Sequence, residues 1–230
     1  MRASAAVLAL VTACAAHGWP AGAHLVPYPV EGKFTEDVTR AIEAQGPLVD
    51  GVHEAASTVF VFVPRPHFAA SFAQGADRCT CTQTVDEFEI DLHLGTSLPQ
   101  WRDYGGALAA CQKAWDSYQR DLRRHEVGHV RIAQEHQRLW RQHLVGLRRT
   151  ADAADCTHAC SAALDGLLTD MDSRSEAEAE AHRQAQQAYD GSHPDPRLAG
   201  CARILPGRKT GDDKTTGLPS GDQATPGEGR

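Results

Sequence analysis

One five-residue run carries the strongest chemical signal in the chain: His125-Glu126-Val127-Gly128-His129, which reads His-Glu-x-x-His. Two histidines four apart on a helix project from the same face about one turn apart. Both imidazoles can then reach a single ion at the about 2.0–2.1 Å usual for zinc–nitrogen bonds. Glu126 is turned about 100° around the helix, where it is no first ligand but can accept a proton from water held by the metal. In such a site the metal polarises a scissile carbonyl, and the carboxylate passes the proton to the leaving amine. With 12 His and 12 Glu in 230 residues, chance alone would produce the pattern in roughly 3% of random arrangements, so the spacing is informative. Gly128 adds to the signal. Glycine inside a helix costs about 1 kcal/mol relative to alanine, and a close approach of backbone or substrate at that point would account for it.

A zinc site of this kind needs a third protein ligand and keeps its fourth position for water. The downstream candidates are Glu176, Glu178, Glu180, His182, Asp190 and His193. Alternating Glu and Ala from Glu176 to Glu180 reads as an ordinary solvated helix start, with charges that suit the N-terminal dipole. His193 is the first choice, because it lies off a helix end and precedes Pro194, which favours extended backbone. Asp190 is the second choice, either as ligand or as a carboxylate orienting a ligand histidine. Tyr189 is placed to hydrogen-bond a developing oxyanion or to act as a core aromatic. His136 and His143 share the stripe of His125 but lie about 16 Å and 27 Å further along the axis, too far to share its metal. They read as a polar stripe, and His158 and His182 as equally unremarkable.

The elements that must position these groups follow from the patterning. Thr35 to Gln45 reads as a helix, with Thr35 as N-cap and Gly46-Pro47 as its stop. Leu25 to Val30 is a short extended segment, and Thr58 to Val63 is strongly β-prone, with Pro64 and Pro66 expected to end it. From Cys79 to Leu94, Phe88, Ile90, Leu92 and Leu94 alternate with polar residues, as in one strand or a bent hairpin arm with one buried face. Leu98-Pro99 is expected to close this β-rich half. From Leu108 to Arg149 apolar residues recur at helical spacing, which predicts one long helix, bent or broken once. Further helices are expected over Cys156–Met171 and Ser173–Tyr189, the last capped by Asp172 or Ser173 and ended by Gly191 and Pro194. The expected fold is therefore α+β, a small antiparallel or mixed sheet packed against the long motif-bearing helix and further helices.

The chain as a whole limits the class of partner. A net charge of −7 argues against nucleic acid, which needs clustered Lys and Arg. The arginines from Arg120 to Arg149 are spread along a predicted helix among His, Gln and Glu, as on a solvated face. Met1-Arg2 followed by a short apolar run reads as an export signal over residues 1–23, with Ala21-Gly22-Ala23 offering a cleavage site before His24. The run falls short of the about 20 apolar residues of a membrane span. Val11-Thr12-Ala13-Cys14 offers the alternative of a lipid anchor on Cys14, and simple secretion to the outside or the periplasm is preferred. Residues 204–230 are nearly devoid of apolar groups and are expected to be disordered, which leaves 24–203 as the domain. Six cysteines remain outside the leader: Cys79, Cys81, Cys111, Cys156, Cys160 and Cys201. An even count in an exported chain fits disulfides, although the spacing leaves all 15 connectivities open. A second metal site at Cys156-Thr-His-Ala-Cys160 is disfavoured by its spacing.

Together these motifs resemble a known family, the predicted secreted zinc-dependent proteases of bacteria, catalogued as a domain of unknown function. The resemblance runs from about Tyr28 to His193. It rests on Tyr28-Pro-Val-Glu-Gly32, Gly46-Pro47, Leu98-Pro99-Gln-Trp101, His125-Glu-Val-Gly-His129, and an aromatic-Asp pair with a nearby His, here Tyr189-Asp190 and His193. The resemblance implies peptidase activity and supplies no substrate; joined to the residues above, it leads to the expectation of a minimal zincin-like peptidase with a Zn2+ ion held by His125, His129 and His193, Glu126 as general base, and a peptide or protein substrate, with a cell-wall amide as the other option. A non-catalytic envelope or secreted binding protein with a structural or degenerate metal site is the competing expectation.

Overall fold

A computed structural model describes residues 23–201; the proposed leader and the proposed disordered tail lie outside the described residues, apart from Ala23 at the leader's end. In chain order the elements are β1 (Ala23–Val30), α1 (Thr35–Gln45), β2 (Leu48–Val49), β3 (Val52–His53), β4 (Ser57–Gln74), β5 (Cys79–Trp101), α2 (Ala109–Leu144), β6 (Arg148–Ala153) and α3 (Cys156–Ser192). The fold is α+β, with a mixed sheet built around β5. Strand β4 runs antiparallel to β5 along one side. On the other side β5 is flanked by β6, antiparallel, over Cys79–Thr84 and by β1, parallel, over Leu94–Trp101. Among the described residues no helix is long and apolar enough to cross a membrane.

Strand β4 is longer than its prolines suggested, because it passes through Pro64 and Pro66 to Gln74. Among the described residues β4 pairs only with β5. Residues two apart direct their backbone groups to the same side, so both prolines can turn their missing N–H toward the open edge, where proline costs no ladder bond. Strand β5 similarly continues past Leu98-Pro99, because β4 stops opposite Ser97 and leaves only β1 to pair with. Between β3 and its partner, Asp50 and Gly51 both have positive φ, 49° and 84°. That is the turn a two-residue Asp-Gly hairpin prefers.

Thr35 begins α1 but is not its cap. Phe34 takes that place, and the buried Thr35 hydroxyl instead accepts a bond from the Cys201 N–H at 2.8 Å. Helix α2 ends at Leu144 rather than running to Arg149. Gly146 adopts a left-handed φ of 82°, which stops a helix without the steric penalty of a Cβ. The freed residues Arg148–Ala153 become the unforeseen strand β6. The break expected near Asp172 and Ser173 is absent, and α3 is one continuous helix, capped by Asp155 accepting from the His158 N–H. No Gly or Pro interrupts 167–190, so a weak capping signal had nothing to end the preceding helix with.

Helices α2 and α3 run antiparallel across one face of the sheet. One buried cluster unites Val30, Val38 and Trp101 with Trp115, Tyr118 and Leu122 of α2. Another joins Val85, Phe88 and Ile90 to Leu144, Leu167 and Met171. Between them, Leu94 packs on Val130 and Ala133, so the motif turn of α2 is held to the sheet on both sides.

The six described cysteines form three disulfides: Cys79–Cys156, Cys81–Cys160 and Cys111–Cys201. Such bridges belong to chains that mature in an oxidising compartment. The first two form a double staple. Two residues along a strand advance about 6.7 Å and four along a helix about 6 Å, so bridges at i, i+2 on β5 and i, i+4 on α3 meet in register. While either bridge stands, the other closes a loop of only about eight residues. Loop entropy then assigns about 2.5 kcal/mol to the first bridge removed and about 4.5 kcal/mol to the second. Urea denaturation of Cys79→Ala/Cys156→Ala, Cys81→Ala/Cys160→Ala and the fourfold variant should show that excess; simple additivity would refute the shared loop.

Candidate metal centre

The centre lies where the motif of α2 faces the end of α3. His125 and Glu126 are buried, and His129 is largely so. His129 Nε2 sits 3.1 Å from His125 Nε2 and 2.9 Å from Asp190 Oδ1, and the latter oxygen is 3.4 Å from His125 Nε2. Four ligands held tetrahedrally at 2.0–2.1 Å would be spaced by about 3.3 Å. The observed triangle has that size, so the three atoms fit one face of a zinc tetrahedron.

The tautomer of His129 fits as well. Its Nδ1–H donates to Gln186 Oε1 at 2.6 Å, so the neutral ring would direct a lone pair from Nε2 toward the Asp190 carboxylate. Lone pairs and a carboxylate converging in this way call for a cation between them. Burial lowers the His125 pKa, with the His129 ring adding to the effect against the pull of Asp195 and Asp190. A neutral, ligating imidazole is thereby favoured.

His193, the first choice for third ligand, is not brought to this position. It caps α3, its ring stacked on Tyr189 at 4.5 Å and its Nδ1 beside Ser192 Oγ and the Tyr189 carbonyl. Asp190, the second choice, stands there instead, because α3 stays helical through Ser192 and carries Asp190 in phase with Gln186 one turn before. A second carboxylate, Asp195, was not anticipated. It comes from the segment after α3, lies 3.2 Å from His125 Nε2, and groups with His125 and Glu126 rather than with His129. Gln186 was missed too, although His182, Gln186 and Asp190 at i, i+4 and i+8 mark one helix stripe.

Glu126 points from α2 toward the sheet. Its Oε2 accepts from Thr58 Oγ1 at 2.6 Å, and Thr58 is bonded in turn to its cross-strand partner Thr96 at 3.0 Å. Burial raises the Glu126 pKa to about 7, the Thr58 bond opposing the rise. That value is close to the range where a general base works best near neutral pH. The cleft in front of these groups has a volume of about 400 Å³ and is walled by Val49 and Glu54, beside the β2–β3 hairpin, and by Ser57, Thr58 and Phe60 of β4.

Tyr189 explains Gly128. Its hydroxyl donates to the His125 carbonyl at 3.2 Å, and its ring lies 5.2 Å from that of His125 and 5.0 Å from that of His129. A Cβ on residue 128 would stand 2.0 Å from the tyrosine hydroxyl oxygen and 2.1 Å from the adjoining ring carbon. The hydroxyl thus bonds the backbone of α2 and helps to set the approach of the two helices. His136 and His143 are not part of the centre and instead face Glu178 of α3.

With fold and centre described, the class is an α+β domain carrying a histidine-carboxylate cluster on two antiparallel helices. A family described as a bacterial protein of unknown function (DUF922) matches residues 25–194, and the chain belongs to that family. No curated protein and no solved structure matches the chain. The matched span includes Asp190 and His193 and ends one residue short of Asp195.

Two outcomes follow for the protein without metal. Gly128→Ala should destabilise by about 1–3 kcal/mol through overpacking, and most of that penalty should vanish in a Tyr189→Leu background. Equal penalties in both backgrounds, by urea denaturation, would refute the contact. Glu126 retains its proton in the folded state between its usual 4.5 and about 7, whereas the unfolded chain releases it. Stability therefore falls as pH rises through that window, by roughly 3 kcal/mol at about 1.4 kcal/mol per unit. Glu126→Gln should flatten the decline; an unchanged pH profile would show that Glu126 is not the group responsible.

Proposed function

We propose that this protein is an exported zinc-dependent hydrolase of amide bonds, acting on peptide or protein. The observation that carries the reading is the triangle of His125, His129 and Asp190, with the buried Glu126 beside it. Zinc held there would supply Lewis acidity toward a carbonyl oxygen and make water more acidic. Glu126 takes the proton of the attacking water on the oxygen not bonded to Thr58 and delivers it to the departing amine nitrogen. Thr58 and Thr96 hold the carboxylate in place during both transfers. Asp190 and the two histidines would hold the ion beside the cleft.

The sheet supports a peptide substrate. Ser57, Thr58 and Phe60 of β4 line the cleft, and β4 pairs on one side only among the described residues. An extended peptide added to that edge would form backbone bonds and pass over the centre. Three disulfides agree with an exported enzyme. One observation favours a second reading: Asp195, only 3.2 Å from His125, could complete a closed, purely structural site.

Elemental analysis of the purified domain is expected to give one zinc per chain, lost in His125→Ala, His129→Ala and Asp190→Ala and kept in His193→Ala. Glu126→Gln should keep the metal and lose about 10²–10⁴-fold in turnover of labelled peptides. Zinc with no cleavage across panels of proteins, peptides and peptidoglycan would establish the structural reading. Cleavage of peptidoglycan alone would move the substrate to a cell-wall amide.

A further inference from the structure

The centre does not end at its ligands. His182 lies on α3 one turn before Gln186, is buried, and faces the first half of β4, its ring edge-on to Phe60 at 4.4 Å and to Phe62 at 5.3 Å. The proposed function gives it no task. Gln186 lies between it and the centre: its amide oxygen is 2.6 Å from His129 Nδ1, and its amide nitrogen is 3.3 Å from the His129 carbonyl and 2.8 Å from His182 Nε2.

Donor and acceptor chemistry fixes the rest. A backbone carbonyl can only accept, so the end of the amide beside it is the NH2 group. The same NH2 donates to His182 Nε2, which must therefore carry a lone pair, so the single proton of a neutral His182 sits on Nδ1. The amide oxygen then faces His129 Nδ1, which must carry a proton, so that in the neutral ring His129 Nε2 is bare. Were the amide turned over, its NH2 would face His129 Nδ1, and the proton of His129 would have to move to Nε2, where it would block a metal. Two contacts oppose that rotation, and the bond to the His129 carbonyl is the longer and weaker of them. The shorter one is to His182.

We propose that His182 is a positioning residue, which locks the Gln186 amide and through it holds His129 in the tautomer that presents Nε2 to a metal. This rests on the metal-centre reading given above. Its surroundings agree. Burial holds the His182 pKa down at about 4, with His136 and Arg183 acting in the same direction, and the neutral ring can accept a hydrogen bond whereas the cation cannot. The partners of metal-bound histidines commonly set affinity by about 10–100-fold. Here that setting would come from a residue two hydrogen bonds away from the metal.

The test combines zinc affinity, by competition with a chelator, and the histidine tautomers of the metal-free protein, by long-range ¹H–¹⁵N correlation. In the parent protein His129 and His182 should both carry their proton on Nδ1. His182→Phe removes the acceptor and keeps an aromatic ring. It should bind zinc at least about 10-fold more weakly and show His129 divided between tautomers. His182→Gln, which restores an acceptor, should recover most of the loss. Phe62→Leu loosens the same packing without touching the acceptor, and should lower the melting temperature while leaving the His129 tautomer unchanged. A His182→Phe variant with the parent's affinity and tautomer would overturn the proposal. So would affinity losses that merely track melting temperature across the variants. If His182→Phe does not fold, the parent spectrum decides, because a His182 proton on Nε2 is incompatible with the relay. Absence of zinc from the parent would defeat the metal reading instead, and the tautomers of the metal-free protein would still decide whether the relay exists.

Discussion

The centre depends on how closely two helices approach at Gly128. Tyr189 occupies the space a side chain would fill there, and its bond to the His125 carbonyl sets α3 against α2 at the turn that bears both histidines. Everything α3 supplies follows from that approach, because Asp190, Gln186 and His182 are successive members of one stripe. Were the helices a residue's width further apart, Asp190 would no longer stand 2.9 Å from His129, nor would Gln186 span the gap to Nδ1. Glycine's cost inside a helix, about 1 kcal/mol, is offset by contacts that no other residue would allow. The opposite end of α3 is held by a different device, the paired disulfides to β5. A helix pinned at both ends can be pressed against its neighbour with little freedom to slide.

The sheet contributes a second constraint, which is electrostatic. A buried carboxylate is costly unless its charge is met by hydrogen bonds or a cation. Glu126 has one strong bond, from Thr58, and burial still carries its pKa to about 7. Thr58 can supply that bond because β4 and β5 place it opposite Thr96 and aim both hydroxyls toward α2. The strand that steadies the carboxylate is also the one with an open edge beside the cleft. The hydroxyl that steadies Glu126 and the open edge beside the cleft thereby belong to one strand, β4, whereas Glu126 itself stands on α2.

Much of this was legible in the sequence where a short segment acts alone. Helical spacing marked α1 from Thr35 to Gln45, and the His-Glu-x-x-His spacing placed both imidazoles on one face. The α+β class followed from the change of period between Leu98-Pro99 and Leu108. The misreadings arise where a partner decides. Pro64 and Pro66 do not end β4, because among the described residues no strand pairs with its outer edge. Arg148–Ala153 became a strand because β5 offered an edge once Gly146 had ended α2. The preference for His193 over Asp190 assumed that α3 stops at Tyr189. Gly191 did not stop it, and most of one more turn, through Ser192, kept Asp190 on the helix face toward the histidines and turned His193 back onto its own helix. Asp195 had no local signal at all, since its position is set by a segment that the Cys111–Cys201 bridge ties back to the start of α2.

Asp195 bears directly on whether such a centre is open or closed. Two carboxylates flank His125, yet only Asp190 groups with both histidines, whereas Asp195 groups with His125 and Glu126. A closed tetrahedral site requires four ligand atoms all within about 3.4 Å of one another, and Asp195 has that relation to His125 alone among the two histidines. It lies instead on the Glu126 side, where a catalytic site would hold water. A carboxylate there adds, with Asp190, to the burial that raises the Glu126 pKa, which strengthens Glu126 as a proton acceptor. Asp195, like Asp190 and Glu126, lines the cleft, and it is through the cleft that a substrate would arrive.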